Sequence, residues 1–168
     1  MTTQVNSVVS GVFDGDTTPQ ILAAGIGSEI TNNVAITSMK SIVIPANTLK
    51  VGDNLRLQCI IDIDDGAGGA PAGNVKCRVY RRDTVDEALI SSALITGNLG
   101  MDKSLVVKNS TTLLAQSATR VEDWLETART QEVSIDITAD ITIDITGDMS
   151  SLADTAYLRT YVLLLNRG

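Results

Sequence analysis

Val133 to Asp148 constrains this chain more than any other stretch. Val133, Ile135, Ile137, Ala139, Ile141, Ile143 and Ile145 take the odd positions, while Ser134, Asp136, Thr138, Asp140, Thr142, Asp144, Thr146 and Asp148 take the even ones. Successive side chains leave a β-strand on opposite faces, so a period of two marks a strand with one face on a core. A hairpin closed by a two-residue loop pairs residues of opposite parity and would switch the apolar set midway. No switch occurs. Two readings stand: a single strand of about 50 Å at ~3.3 Å per residue, or a hairpin with an odd-length loop centred on Ala139. The expectation favours a long strand that bends, crossing from one sheet or subunit to another. Its Asp/Thr face is expected in solvent, where charges keep a strand from pairing with unintended chains. Asp136, Asp140, Asp144 and Asp148 repeat about every 13 Å along such a strand, too far apart to share one metal ion.

The same rhythm runs through Ser41 to Arg82. Ile42 and Ile44 begin a strand that Pro45, lacking an N–H donor, ends or edges. Val51-Gly52-Asp53-Asn54 reads as a tight corner with a glycine free to take positive φ. Leu55, Leu57, Cys59, Ile61 and Ile63 then alternate with Asn54, Arg56, Gln58, Asp62 and Asp64, with Ile60 the one apolar exception. The glycine-rich loop Asp65 to Gly73 is too long for a tight turn, and its composition marks it as mobile or partner-dependent. Val75, Cys77 and Val79 carry the return strand. If the two strands form a hairpin with Ile61 opposite Val75, Cys59 falls opposite Cys77, and two reduced, buried thiols are favoured over a disulfide.

The first 33 residues differ in texture: Pro19, four glycines and short apolar pieces without a sustained period. They read as an extended arm, residues 1–33, holding one short strand or helical turn, and lying on a neighbouring subunit or fraying as a terminus. Residues 34–168 form the expected domain. Val34, Ile36, Ile42 and Ile44 mark a strand or a bulged pair around Thr37-Ser38. Ala88-Leu89-Ile90, Leu94-Ile95 and Leu105-Val106-Val107 are further strand candidates, separated by Gly97 and Gly100, and Thr111 to Ala118 and Arg120 to Thr127 follow. Val121, Trp124 and Leu125 fit a helical turn or a poor strand equally. Ala156 to Leu165 closes the chain with an apolar run that suggests burial on both faces.

Composition removes several functions. There is no histidine among 168 residues, which takes away the commonest general base and metal ligand. The expectation is a non-enzymatic protein with no catalytic, cofactor-binding or metal site. A net charge of −7 repels phosphate backbones, and no basic run exceeds Arg81-Arg82, so no nucleic-acid partner is expected. Aromatics make up 3%, which leaves an aliphatic, β-branched core and too few rings for a sugar-binding cleft. No run is long and apolar enough for a membrane helix, and the N-terminus lacks the basic and apolar regions of a signal peptide; no membrane partner is expected, and folding in a cytoplasm is. Asp62, Asp64 and Asp65 beside Gly66 are the best calcium candidates, but their spacing fits no EF-hand loop and a solvated acidic loop is favoured.

The segment Ile44-Pro45-Ala46-Asn47-Thr48-Leu49-Lys50-Val51-Gly52-Asp53-Asn54-Leu55-Arg56-Leu57 resembles the IPANTL..GD.LR segment common in virion structural proteins of tailed bacteriophages. Those proteins are β-sandwich or jelly-roll modules of capsid decoration proteins, head fibres and tail fibres, often trimeric. The resemblance covers 14 of the 168 residues. It implies an all-β, jelly-roll-like two-sheet sandwich behind an extended N-terminal arm. It also implies a capsid decoration (cement) protein at the virion surface, assembled in the host cytoplasm, a homotrimer whose partner is the major capsid protein. The alternative is a tail-fibre or head-fibre module that touches the host surface through loops such as Asp65 to Gly73.

Overall fold

The computed structural model describes residues 18–31, 33, 35–64, 73–81, 90–91, 99–117, 129–149 and 152–168. Every regular element among them is a β-strand: β1 (Gln20–Gly25), β2 (Glu29–Thr31), β3 (Thr37–Ile44), β4 (Asn54–Asp64), β5 (Gly73–Arg81), β6 (Ile90–Ser91), β7 (Leu99–Asn109), β8 (Thr112–Ser117), β9 (Arg129–Ser134), β10 (Ile141–Met149) and β11 (Thr155–Asn166). All pairings are antiparallel. The larger sheet runs β1-β11-β4-β7-β8-β9, with β2 also on β11, and the smaller runs β3-β10-β5-β6. Gln20 to Gly25 lie against Leu165 to Tyr161, and Glu29 to Thr31 against Tyr157 to Thr155, so β1 and β2 are one interrupted strand along a single edge of β11.

The winding follows from that order. The chain passes from β2 to β3 in the other sheet, back to β4, across to β5 and β6, back to β7, across to β10 and home to β11. The sets β2-β11-β4-β7 and β3-β10-β5-β6 are the two four-stranded sheets of a jelly roll. The β8–β9 hairpin widens the first sheet beyond β7. The expected jelly-roll-like sandwich is therefore present. It also takes in Gln20 to Thr31, residues the sequence assigns to the arm; residues 1–17 lie outside the described ones.

Alternation decides the core. In β4 the inward set Leu55, Leu57, Cys59, Ile61 and Ile63 is buried, and Ile60 is exposed. The same parity buries Met101, Leu105 and Val107 on β7, and Ala156, Leu158, Tyr161, Leu163 and Leu165 on β11, where a register shift at Arg159 changes the phase. The other face of β11 is half-buried or exposed rather than sealed, which corrects the expectation of burial on both faces. Val162 and Leu164 on that face are partly covered because β11 is an interior strand, flanked by β1 and β2 on one side and β4 on the other.

Val133 to Asp148 is neither a single strand nor a hairpin. Its first part ends β9 in the larger sheet, residues 135–140 turn, and the rest is β10 in the smaller sheet. The chain thus crosses from one sheet to the other, as the favoured reading has it, but with a break rather than a bend. Odd residues stay inward on both sides because both sheets face the same core: Val133, Ile135, Ile137, Ile141, Ile143 and Ile145 are all buried. Two further expectations are corrected. The Asp/Thr face of β10 is not solvated: Thr142, Asp144 and Thr146 are buried, because β10 is an inner strand paired with both β3 and β5. And β4 and β5 do not form a hairpin. Cys59 pairs with Tyr161 and Met101 in the larger sheet, while Cys77 pairs with Ile145 and Ile90 in the smaller.

Candidate interaction surface

The corner that carries the resemblance is a clasp built from two turns. Thr48 N–H donates to the Pro45 carbonyl at 3.1 Å with Asn47 at φ 60°, and Asp53 N–H donates to the Lys50 carbonyl at 3.1 Å with Gly52 at φ 96°. Each turn needs a left-handed residue at its third position, which asparagine tolerates and glycine adopts freely. Leu49, between them, is buried. The Asp53 carboxylate, itself buried, accepts from Lys50 N–H at 2.9 Å and from the Arg167 guanidinium at 2.5 Å, which also reaches the Thr48 carbonyl. Gly52 N–H and the Asp53 carbonyl bond to the backbone of Val107, and Asn47 N–H bonds to the Ile137 carbonyl. One short segment thereby ties together β7, the β9–β10 crossing and the C-terminal residues.

The aspartates of Val133 to Asp148 have separate duties. Asp136 accepts from Thr138 N–H at 2.9 Å and from its hydroxyl at 2.6 Å, an aspartate-led turn that opens the crossing. Asp140 accepts from Ala46 N–H at 3.0 Å and fastens the crossing to the corner. Asp144 accepts from the hydroxyls of both Ser38 and Ser41, at 2.5 and 2.7 Å. Residues three apart in a regular strand face opposite ways. A bulge at Met39, where Ile145 pairs with Lys40 but Thr146 with Ser38, brings both serines to one face. A buried carboxylate requires such donors.

The outer face of the larger sheet carries ion pairs between neighbouring strands. Arg56 donates two hydrogen bonds to Asp102, which also accepts from Gln58; Arg159 pairs with Asp62, and Lys108 with Glu132. The Arg56 hydrogen bonds hold the Asp102 carboxyl below its usual range, and Asp102 in turn raises the Arg56 guanidinium. Of the calcium candidates, Asp62 is an ion-pair partner of Arg159, Asp64 is exposed at the end of β4, and Asp65 lies outside the described residues. Among the described residues no group of three or more His, Cys, Asp or Glu side chains could hold a metal, and no helix is long and apolar enough to cross a membrane. Cys59 is a free thiol whose burial pushes it up to about 12.

Two features escape a first reading of the sequence. Lys103 is 2% exposed on the inward face of β7 and takes part in an interaction within the protein; its parity with Met101, Leu105 and Val107 is the signal for that position. The second is a rim. β1 and β2 edge the larger sheet, β3 edges the smaller, and Ser28 N–H donates to the Met39 carbonyl at 2.9 Å to join them. Of the seven large hydrophobics exposed among the described residues, four belong to this rim: Ile21 at 64%, Ile26 at 78%, Ile36 and Val43. Between residues 18 and 44 only Glu29 and Lys40 are charged, in a chain that is 20% charged overall. Lys40 sits over the Tyr161 ring, 5.5 Å from its centre. Where β1 gives way to β2, a notch of about 300 Å³ opens between Ile26 to Glu29 and Tyr157 to Arg159, with the Arg159 guanidinium stacked 4.3 Å from the Tyr157 ring centre. A Cβ at Gly27 would overlap the Leu158 side chain, so only glycine lets the strand kink this close to β11. Loop Asp65 to Gly73, the contact surface expected of a fibre module, has only Gly73 among the described residues, and Trp124 lies outside them.

No protein-family model and no curated protein matches the chain.

Proposed function

We propose that this chain is a virion structural protein of a tailed bacteriophage, a capsid decoration protein that stabilises the assembled head by binding the major capsid protein and its own copies. The observation that carries the reading is the corner Ile44 to Leu57. The residues that resemble the phage segment are those that lock one end of a jelly-roll sandwich: Asn47 and Gly52 make the turns, Leu49 fills the gap, and Asp53 anchors the C-terminal residues. The jelly-roll winding is the architecture the resemblance implies, and the lack of histidine in so acidic a chain favours a structural over a catalytic role. The mechanism is mass action, since a protein that binds only the assembled shell stabilises it.

Quantitative mass spectrometry of purified virions tests this. Copy numbers close to that of the major capsid protein, with a lower capsid melting point when the protein is stripped, are expected. A few copies per particle would move the protein to a tail or head fibre, and absence from virions would end the reading.

A further inference from the structure

We propose that the rim formed by β1, β2 and β3 is where copies of this chain meet. The inference deepens one element of the proposed function, the binding of its own copies, and rests on that element alone. Three observations carry it.

The first is charge. Copies of net charge −7 repel one another, so they approach most easily through a surface that carries almost none of that charge. The rim fits: across residues 18–44 it holds one Glu and one Lys, and the Lys is placed over Tyr161. A basic partner would instead be drawn to the acidic remainder of the surface. The second is the edge itself. An exposed edge strand without charges is a template for another chain, and Gln20 to Ser28 carries none. The far edge of the same sheet, β9, carries Arg129 and Glu132, the latter paired with Lys108.

The third is shape. Ile26, 78% exposed, stands at one wall of the notch formed with Gly27, Ser28, Glu29, Tyr157 and Arg159. A knob beside a hole on one rim is complementary to a copy of itself. In a closed two-fold or three-fold arrangement, Ile26 of each copy enters the notch of the next. Ile21, on the same edge strand β1, continues the apolar edge five residues from Ile26, about 17 Å at ~3.3 Å per residue.

The test is sedimentation velocity on the purified full-length protein across the micromolar range, with Ile26→Asp, Ile21→Asp and Val51→Asp. All three positions are well exposed, and unchanged melting curves establish that the variants fold. Val51 lies at the corner, so its variant adds the same charge away from the rim. The expected result is self-association of the wild type that weakens roughly thirtyfold in Ile26→Asp, the loss a central contact residue gives. Ile21→Asp should weaken it less and Val51→Asp not at all. Association intact in both rim variants would overturn the rim and leave the oligomer standing. Equal weakening in Val51→Asp would show a general charge effect and also overturn it. A wild type that stays monomeric would remove the oligomer as well, while copy number per virion still judges the decoration role separately.

Discussion

At the residue scale, the least replaceable positions are those where backbone and side chain are decided together. Asn47 holds φ 60° in the first turn of the corner. A β-branched residue pays heavily there, and Asn47→Val is expected to destabilise the fold by about 1–2 kcal/mol while Asn47→Gly is tolerated, as measured by urea unfolding. Cys59 gives a pH-dependent prediction. Its thiol is pushed up to about 12 in the fold and sits near 8.5 in an unfolded chain. Above the lower value the unfolded state loses its proton while the folded state keeps it, so stability falls as pH rises from about 8.5 towards 12. The slope is at most about 1.4 kcal/mol per pH unit. Cys59→Ala should be less stable than the wild type at pH 7, with the difference narrowing by pH 10. In the native protein at pH 8 this thiol should resist alkylation, and denaturant should release it.

At the scale of elements, β3 and β10 are joined by more than their ladder. The bulge at Met39 aims Ser38 and Ser41 at one buried carboxylate. Either Ser→Ala change should cost about 1–3 kcal/mol. The double change should cost less than the sum, since one remaining donor supports Asp144 only in part. A bulge near Thr37-Ser38 is one of the two sequence readings, but its place at Met39, which turns both serines to Asp144, belongs to the pairing with β10. The corner is more legible. Pro45, Asn47, Gly52 and Asp53 announce turns by their own chemistry, whereas the reach of Arg167 to Asp53 across 114 positions does not.

At the scale of the molecule, the ion pairs on the outer face of the larger sheet contribute little and do so in a defined direction. Asp102 is held below its usual range by Arg56. Its stabilisation is therefore present above the ordinary carboxylate value of about 3.9 and lost as pH falls through the depressed one. The Asp102 side chain is 41% exposed, so the expected difference between wild type and Asp102→Asn at pH 7 is only about 0.2–1 kcal/mol, shrinking below pH 3 and in high salt. The apolar rim contrasts with this charged face, and the proposed meeting of copies uses the rim and leaves the charged face outside.

The sequence by itself determined the strands with sustained alternation and their inward faces, but not β1 and β2, which it left in the arm. Alternation is a local property, and Leu55 to Ile63 or Val133 to Ile145 can be read without knowing any partner. It also determined the turns of the corner, which rest on the backbone preferences of single residues. Tertiary structure alone decided which strands share a sheet. β4 and β5 follow each other and alternate alike, yet they lie in opposite sheets and part Cys59 from Cys77. The run from Val133 to Asp148 keeps one parity although it serves two sheets, because both turn the same residues towards one core. Parity reports the side on which the core lies. The sheet a strand joins depends on contacts scores of residues away, and there the Asp/Thr face of β10 became buried because strands stood on both its edges.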